Sequence, residues 1–186
     1  MNLQPNLRMS KAAFLEWGAT EEERYELVGG RVIMMPRPSL AYAMIVMNLA
    51  FLLQTRLDRK QWVVITEFGL DTGPETLRYP DIVVDRVGGA GKSYTATAPV
   101  LLAEVLSPSS VETDLGDKAA EYLQTPSLLA YIVLSQDEPK AWIHARSGTE
   151  FPAGPVVVAG TDSNIQIAAL QLEFPMADIY AGIQTS

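Results

Sequence analysis

Two acidic residues stand inside apolar runs of the chain. Asp81 opens DIVVD, and Glu104 lies within VLLAEVL, residues Val100 to Leu106. Desolvating a carboxylate is expensive, so each acid needs solvent, a proton, an Arg or a metal cation beside it. Taken singly, either is accounted for by facing solvent or by pairing with an Arg. Taken together on neighbouring strands, two carboxylates suit a divalent ion that prefers oxygen ligands. The rest of the composition narrows the chemistry. There is no Cys, which excludes disulfides, thiolate zinc sites and cysteine nucleophiles. The single His is His144, so one chain cannot build a multi-histidine metal site, and any Ser-His-Asp triad would have to use that residue. Metal chemistry here is carboxylate chemistry, which favours hard ions such as Mg²⁺ or Mn²⁺.

Asp114, Lys118 and Tyr122 are spaced i, i+4, i+8 and share one helix face. An acid four residues before a Lys is an ordinary surface ion pair, worth about 0.3–0.5 kcal/mol. The same Lys is also a candidate site cation. Glu26, Glu67 and Asp114 are secondary candidates for approach to a metal. The run Gly88-Gly89-Ala90-Gly91-Lys92-Ser93 ends like a phosphate-binding loop. However, Arg86 stands where the pattern needs its first Gly, and YTATAP follows where a helix should start. It reads as a loop beside the site, with Arg86 and Lys92 within possible reach of phosphates. His144, in AWIHA, reads as a satisfied structural histidine, and Trp62 and Trp142 as core or interface residues.

The elements that must position these residues follow from periodicity and punctuation. Ser10 is an N-cap for a helix to about Trp17, closed by Gly18. RYELV and RVIMM flank Gly29-Gly30, a hairpin signal. Leu40 to Lys60 contains no Pro or Gly and reads as a long helix, with Met44, Met47, Ala50, Phe51, Gln54 and Leu57 at spacings of three and four. Strands follow at Trp62 to Leu70, Leu77 to Asp85 (with Pro80 marking an edge or irregularity) and Val100 to Leu106. A helix from Asp114 to Gln124 stops before Pro126, and Leu129 to Leu134 is the next strand. The tail reads as strand-like pieces at Lys140 to His144, Pro155 to Val158 and Ile165 to Ile167, then a short helix from Pro175. The expected architecture is α/β, a single domain over 1–186 with an αβββαβ core at about 40–135, preceded by a helix and hairpin and followed by a β-rich extension.

Length and composition fit that picture. The 186 residues suffice for one sizeable core, and 48% hydrophobic with 19% charged residues is globular rather than disordered. The net charge of −8 argues against indiscriminate nucleic-acid binding, but not against a basic or metal-bearing patch. The apolar stretch from Ala41 to Leu53 is too short to span a membrane and holds Asn48. Met1 to Ser10 is polar and Pro-interrupted, unlike a signal peptide, so a cytoplasmic protein without membrane association is expected.

The order αβββαβ, with a Pro-Asp pair on the second strand and a Glu on the third, resembles the PD-(D/E)XK nuclease core. More narrowly, the chain resembles the Uma-type restriction endonuclease family. The residues carrying this are Tyr25-Glu26-Leu27 with Gly30, Pro36, Pro80-Asp81, Glu104-Val105-Leu106-Ser107-Pro108-Ser109, and Asp114, Lys118 and Tyr122. The resemblance implies a magnesium-dependent endonuclease, a hydrolase that binds DNA and cuts its phosphodiester bonds, acting as a homodimer. Asp81, Glu104 and the backbone carbonyl of Val105 would hold Mg²⁺ or Mn²⁺. The superfamily's Lys lies two residues after the Glu, where this chain has Leu106, so the resemblance carries that role to Lys118. The His often found near the start of the long helix is absent, with Tyr42 nearby instead. Two rivals stand: a catalytically degenerate relative acting as a nucleic-acid-binding or regulatory module, and a glycoside hydrolase using a carboxylate pair.

Overall fold

The computed structural model describes residues 7–106 and 113–183. The first helix, α1 (Lys11–Gly18), is capped by Ser10, whose Oγ accepts from the amide of Ala13 at 3.3 Å. β1 (Tyr25–Val28) and β2 (Arg31–Met34) form the expected hairpin. Its turn takes positive φ at both central residues, +55° at Gly29 and +76° at Gly30, which is why glycine stands there twice. α2 (Leu40–Arg56) follows, capped by Ser39. Next come β3 (Trp62–Thr66), β4 (Leu70–Gly73), β5 (Thr76–Arg78), β6 (Ile82–Arg86) and β7 (Leu101–Leu106). A π-helical turn, Thr113–Asp117, leads into α3 (Lys118–Tyr122). The chain continues through β8 (Ala130–Ser135), β9 (Lys140–Ala145), β10 (Val156–Ala159), β11 (Asn164–Ile167) and β12 (Leu172–Pro175), and ends its regular structure in α4 (Met176–Ile179).

Six strands make the central sheet in the order β10-β9-β8-β7-β6-β3. Among the described residues its parallel pair is β7 and β8, and the connection that this pair requires contains α3. A second sheet, β2-β1-β5-β4, carries α1, with Phe14, Leu27 and Leu77 in its core. The central sheet is covered on both faces. On one, Ile45, Leu49 and Leu53 of α2 pack on Ile82, Val84 and Ala103, together with Phe174 and Ile179 from the C-terminal elements. On the other, Ala119 and Tyr122 of α3 pack on Val83, Leu102, Tyr131 and Val133. β7 is buried at all six positions, so Glu104 lies in a strand that has no solvent face.

The αβββαβ order appears as α2-β3-β6-β7-α3-β8, but three expected elements are divided differently. The strand read from Trp62 to Leu70 breaks after Thr66, where Glu67 adopts φ +54°. The strand read from Leu77 to Asp85 is two strands in two sheets, separated by Tyr79-Pro80-Asp81, because Pro80 has no N–H for a ladder. The helix read from Asp114 starts as a π turn and is α-helical only from Lys118 to Tyr122. The face of α2 also differs from the spacing read in the sequence. Ala50 and Leu57 are buried as read, but the rest of the buried face is Ile45, Leu49, Leu52 and Leu53, whereas Met47 and Phe51 are 65% and 63% exposed. β12 falls on residues that the sequence reading left without a strand. Among the described residues, no helix is long and apolar enough to cross a membrane.

Candidate active site

Tyr79, Pro80 and Asp81 bridge the two sheets between β5 and β6. Asp81 directly precedes β6, whose Ile82 pairs with Ala103 of β7, so the antiparallel register sets Asp81 beside Glu104. The side chain is buried. Its Oδ2 accepts the backbone N–H of Val105 at 2.7 Å, and its Oδ1 accepts the hydroxyl of Tyr42 from α2. Burial pushes the Asp81 pKa up to about 6; the hydrogen bonds from Tyr42 and Val105 and the charge of Lys118 act against that rise. In an extended strand the N–H and C=O of one residue leave on the same edge. The Val105 carbonyl therefore faces the edge where Asp81 lies, and Val105 lines the same cavity.

The pleat turns Leu102, Glu104 and Leu106 toward α3. Glu104 Oε1 accepts from Lys118 Nζ and from the Tyr122 hydroxyl, each at 2.9 Å. Burial drives the Glu104 pKa well above the usual carboxylate range; Lys118 opposes this, while Asp81, Asp114 and Glu26 add to it. Lys118 is only 7% exposed. Its Nζ lies 2.9 Å from Glu104, 3.2 Å from Asp114 and 3.4 Å from Glu26. Burial pulls its pKa down, but these three carboxylates more than offset that and hold the ammonium charged. The i, i+4 pair with Asp114 is therefore real, but it is buried and converges on Glu104 rather than lying on a surface.

The secondary candidates separate. Asp114 lines the cavity with Asp81, Glu104 and Lys118. Glu26 sits behind Lys118, where it accepts from Arg78 at 3.0 Å and from the Tyr79 amide at 3.2 Å. Arg78 also holds Glu121, with bonds of 2.5 and 2.9 Å. Glu67 does not enter the cavity; its carboxylate is ion-paired with Arg24. Ser107, Pro108 and Ser109 lie outside the described residues. The Gly-rich loop is not beside the carboxylates: Arg86 to Ala90 lines a separate cavity with Arg59 and Trp62, and the Asp85 carboxylate ties the loop's return by accepting the amides of Thr97 and Ala98. His144 is buried on β9 and stacked against Tyr131, with its pKa lowered by burial. Its Nδ1 has no hydrogen-bond partner among the described residues, so it is structural but not fully satisfied.

Tyr42, Arg78, Glu121 and Arg24 complete the surroundings, and sequence reasoning gave none of them a role. The one available signal was Tyr42, near the start of the long helix, where the resemblance implies a His. The contacts of Arg78 join residues 43 and 52 positions apart, which no local pattern records.

The cavity lined by Arg24, Tyr42, Asp81, Glu104, Asp114 and Lys118 measures about 320 Å³. Three buried carboxylates line it, those of Asp81, Glu104 and Asp114, with one buried cation, Lys118; Arg24 and Arg37 also line it but are paired with Glu67 and Glu23, which do not. That excess of negative charge, together with the raised pKa of Asp81, is what a cation would relieve. Among the described residues no group of three or more acidic or histidine side chains is placed to hold a metal ion. Two carboxylates and a backbone carbonyl could serve as donors to Mg²⁺, an ion that uses one or two carboxylates and fills its shell with water and substrate phosphate.

A model of the Uma2 family, described as "Putative restriction endonuclease", matches residues 12–177. Two curated relatives come from Synechocystis sp. PCC 6803. "Uncharacterized protein slr1290" is 24% identical, covering 96% of this chain and 95% of that protein. "Uncharacterized protein sll1609" is 26% identical, covering 69% and 75%. Among solved structures, a putative nuclease belonging to DUF820 from Anabaena variabilis superposes with a TM-score of 0.77 at 16% identity, covering 93% of this chain and 98% of that one. This last likeness shows the fold.

Proposed function

Because the chain belongs to the Uma2 family of restriction-endonuclease-like proteins, we propose that it is a metal-dependent endonuclease that hydrolyses phosphodiester bonds in DNA. The observation that carries this reading is the convergence of Asp81, Glu104, Val105 and Lys118 on one cavity. Asp81, Glu104 and the Val105 carbonyl would hold Mg²⁺ or Mn²⁺. Such an ion, when bound, neutralises charge developing on the phosphate and lowers the pKa of its water.

The chain's own residues do the rest. Tyr42 and the Val105 amide fix the orientation of Asp81 by donating to both of its oxygens. Lys118 stays protonated at the cavity wall, held between Glu104, Asp114 and Glu26, where it would orient the attacking water. Glu26 and Asp114 hold Lys118 in place. A homodimer is part of the proposal, because two sites would cut both strands of a duplex together; the exposed Leu40, Met47 and Phe51 of α2 offer an apolar face for it.

The test is cleavage of supercoiled plasmid with Mg²⁺, with Mn²⁺ and with chelator, beside Asp81→Asn and Glu104→Gln. Cleavage by the wild type alone, dependent on metal, is expected. DNA binding without cleavage under every metal condition would support the degenerate binding module instead, a reading favoured by Lys118 already sharing the Glu104 carboxylate.

A further inference from the structure

The proposed site is negative, and its substrate carries one negative charge per phosphate. Some cation must meet the strand, and the two buried ones are not free to do so. Lys118 is engaged by three buried carboxylates, and Arg78 by the buried Glu26 and the half-buried Glu121. Two further cations line the cavity, Arg24 and Arg37. Arg37 is 85% exposed and paired with Glu23 at the outer rim. Arg24 is different: its side chain is one-third exposed, and it borders both the carboxylate cavity and an adjoining cavity of about 370 Å³ walled by Phe14, Tyr25, Tyr79 and Tyr94.

Arg24 is held by Glu67, whose own side chain is nearly half exposed. Exposed ion pairs are weak and exchange readily. Glu67 is also one of two non-glycine residues with positive φ among the described residues, at +54°. Its backbone N–H donates to the carbonyl of Asp81 at 3.2 Å, which anchors this strained residue to the carboxylate site itself. A guanidinium, with paired parallel donors, fits a phosphate as well as it fits a carboxylate.

We propose that Arg24 is the phosphate clamp of this site, parked on Glu67 in the free protein and transferred to a backbone phosphate of the bound DNA strand. The exchange replaces one oxyanion by another and breaks no covalent bond. Glu67, which the sequence offered as a metal ligand, is then the counter-ion that keeps Arg24 at the cavity wall. This rests on the nuclease reading above.

The experiment breaks the same ion pair from each side. Binding of a fluorescein-labelled DNA duplex is followed by anisotropy with Ca²⁺ in place of Mg²⁺, and melting temperatures are recorded alongside. Arg24→Gln should weaken binding about tenfold and reduce the slope of log K against log salt by about one. Glu67→Gln should tighten binding, because it releases Arg24. A purely structural bridge predicts that both variants lose melting temperature alike and keep the wild-type affinity; that result overturns the clamp. Wild-type cleavage with an unchanged dissociation constant in Arg24→Gln removes the clamp and leaves the nuclease reading standing. A wild type that neither binds nor cleaves DNA removes both.

Discussion

The backbone N–H of Val105 donates to Oδ2 of Asp81 across 2.7 Å, stitching the start of β6 to the end of β7. This bond sets one proposed metal ligand beside the carbonyl edge of another. It also acts, with the Tyr42 hydroxyl, against the burial that raises the Asp81 pKa to about 6.

Asp81→Asn should abolish metal-dependent cleavage and stabilise the metal-free protein above pH 6. The ordinary pKa of the group is 3.8 and its folded value about 6, so the folded state holds the proton more tightly. Its contribution to stability is full below about pH 4 and is lost as pH rises through 6. Removing the charge should restore on the order of 1 kcal/mol or more at pH 7. Urea unfolding between pH 4 and pH 8 without metal should show a flatter profile for the variant, the remaining slope coming from Glu104. An identical slope, or wild-type cleavage, ends the assignment.

Tyr42→Phe removes the donor from Asp81 Oδ1 while leaving the ring in place. That bond lowers the Asp81 pKa, so its loss should raise it further. The acidic limb of the pH–rate profile should move to higher pH, and stability should fall by roughly 1 kcal/mol. An unmoved limb with the same loss of stability would make Tyr42 a packing residue only.

What the sequence made legible follows from what is rare in it. Acids within apolar strands stand out, so Asp81 and Glu104 were readable before any coordinates, and the Gly29-Gly30 turn declared its hairpin. Burial of Lys118 was not readable, because an i, i+4 Asp–Lys pair looks the same on a surface as in a core. The buried side of α2 was hidden because its first sixteen residues, Leu40 to Thr55, carry no charge to mark a solvent face. The division of two strands at Glu67 and Pro80 depends on a second sheet that captures β4 and β5, and long-range pairing of that kind leaves no local period.

The apolar side chains exposed on α2 bear on assembly. Light scattering after gel filtration should give the mass of a dimer, and Phe51→Glu should shift it toward the 20.3 kDa of one chain while leaving melting of the monomer unchanged. Wild-type protein eluting as a monomer at all concentrations would remove the dimer from the proposal.

The last prediction concerns Lys118, the cation common to Glu26, Glu104 and Asp114. Replacing it by Met keeps most of the stem's volume and removes the charge. Three buried carboxylates would then lack that compensation, and breaking a buried ion pair from one side costs roughly 3–5 kcal/mol. Lys118→Met should therefore destabilise the metal-free protein strongly, a larger effect than a surface pair with Asp114 allows. Combining it with Glu104→Gln should recover part of the loss, since one of the stranded charges is gone. If Lys118 also serves the reaction, the surviving folded fraction of Lys118→Met should turn over DNA about 10²-fold more slowly or worse. Lys118→Arg separates the two roles. It keeps the charge, and so much of the stability, but a planar guanidinium cannot reproduce the compact ammonium that three oxygens surround at 2.9 to 3.4 Å. Stability near wild type with turnover still depressed is the expected result for Lys118→Arg. Full turnover in both variants, measured on protein shown to be folded, would leave Lys118 as a structural counter-ion and nothing more.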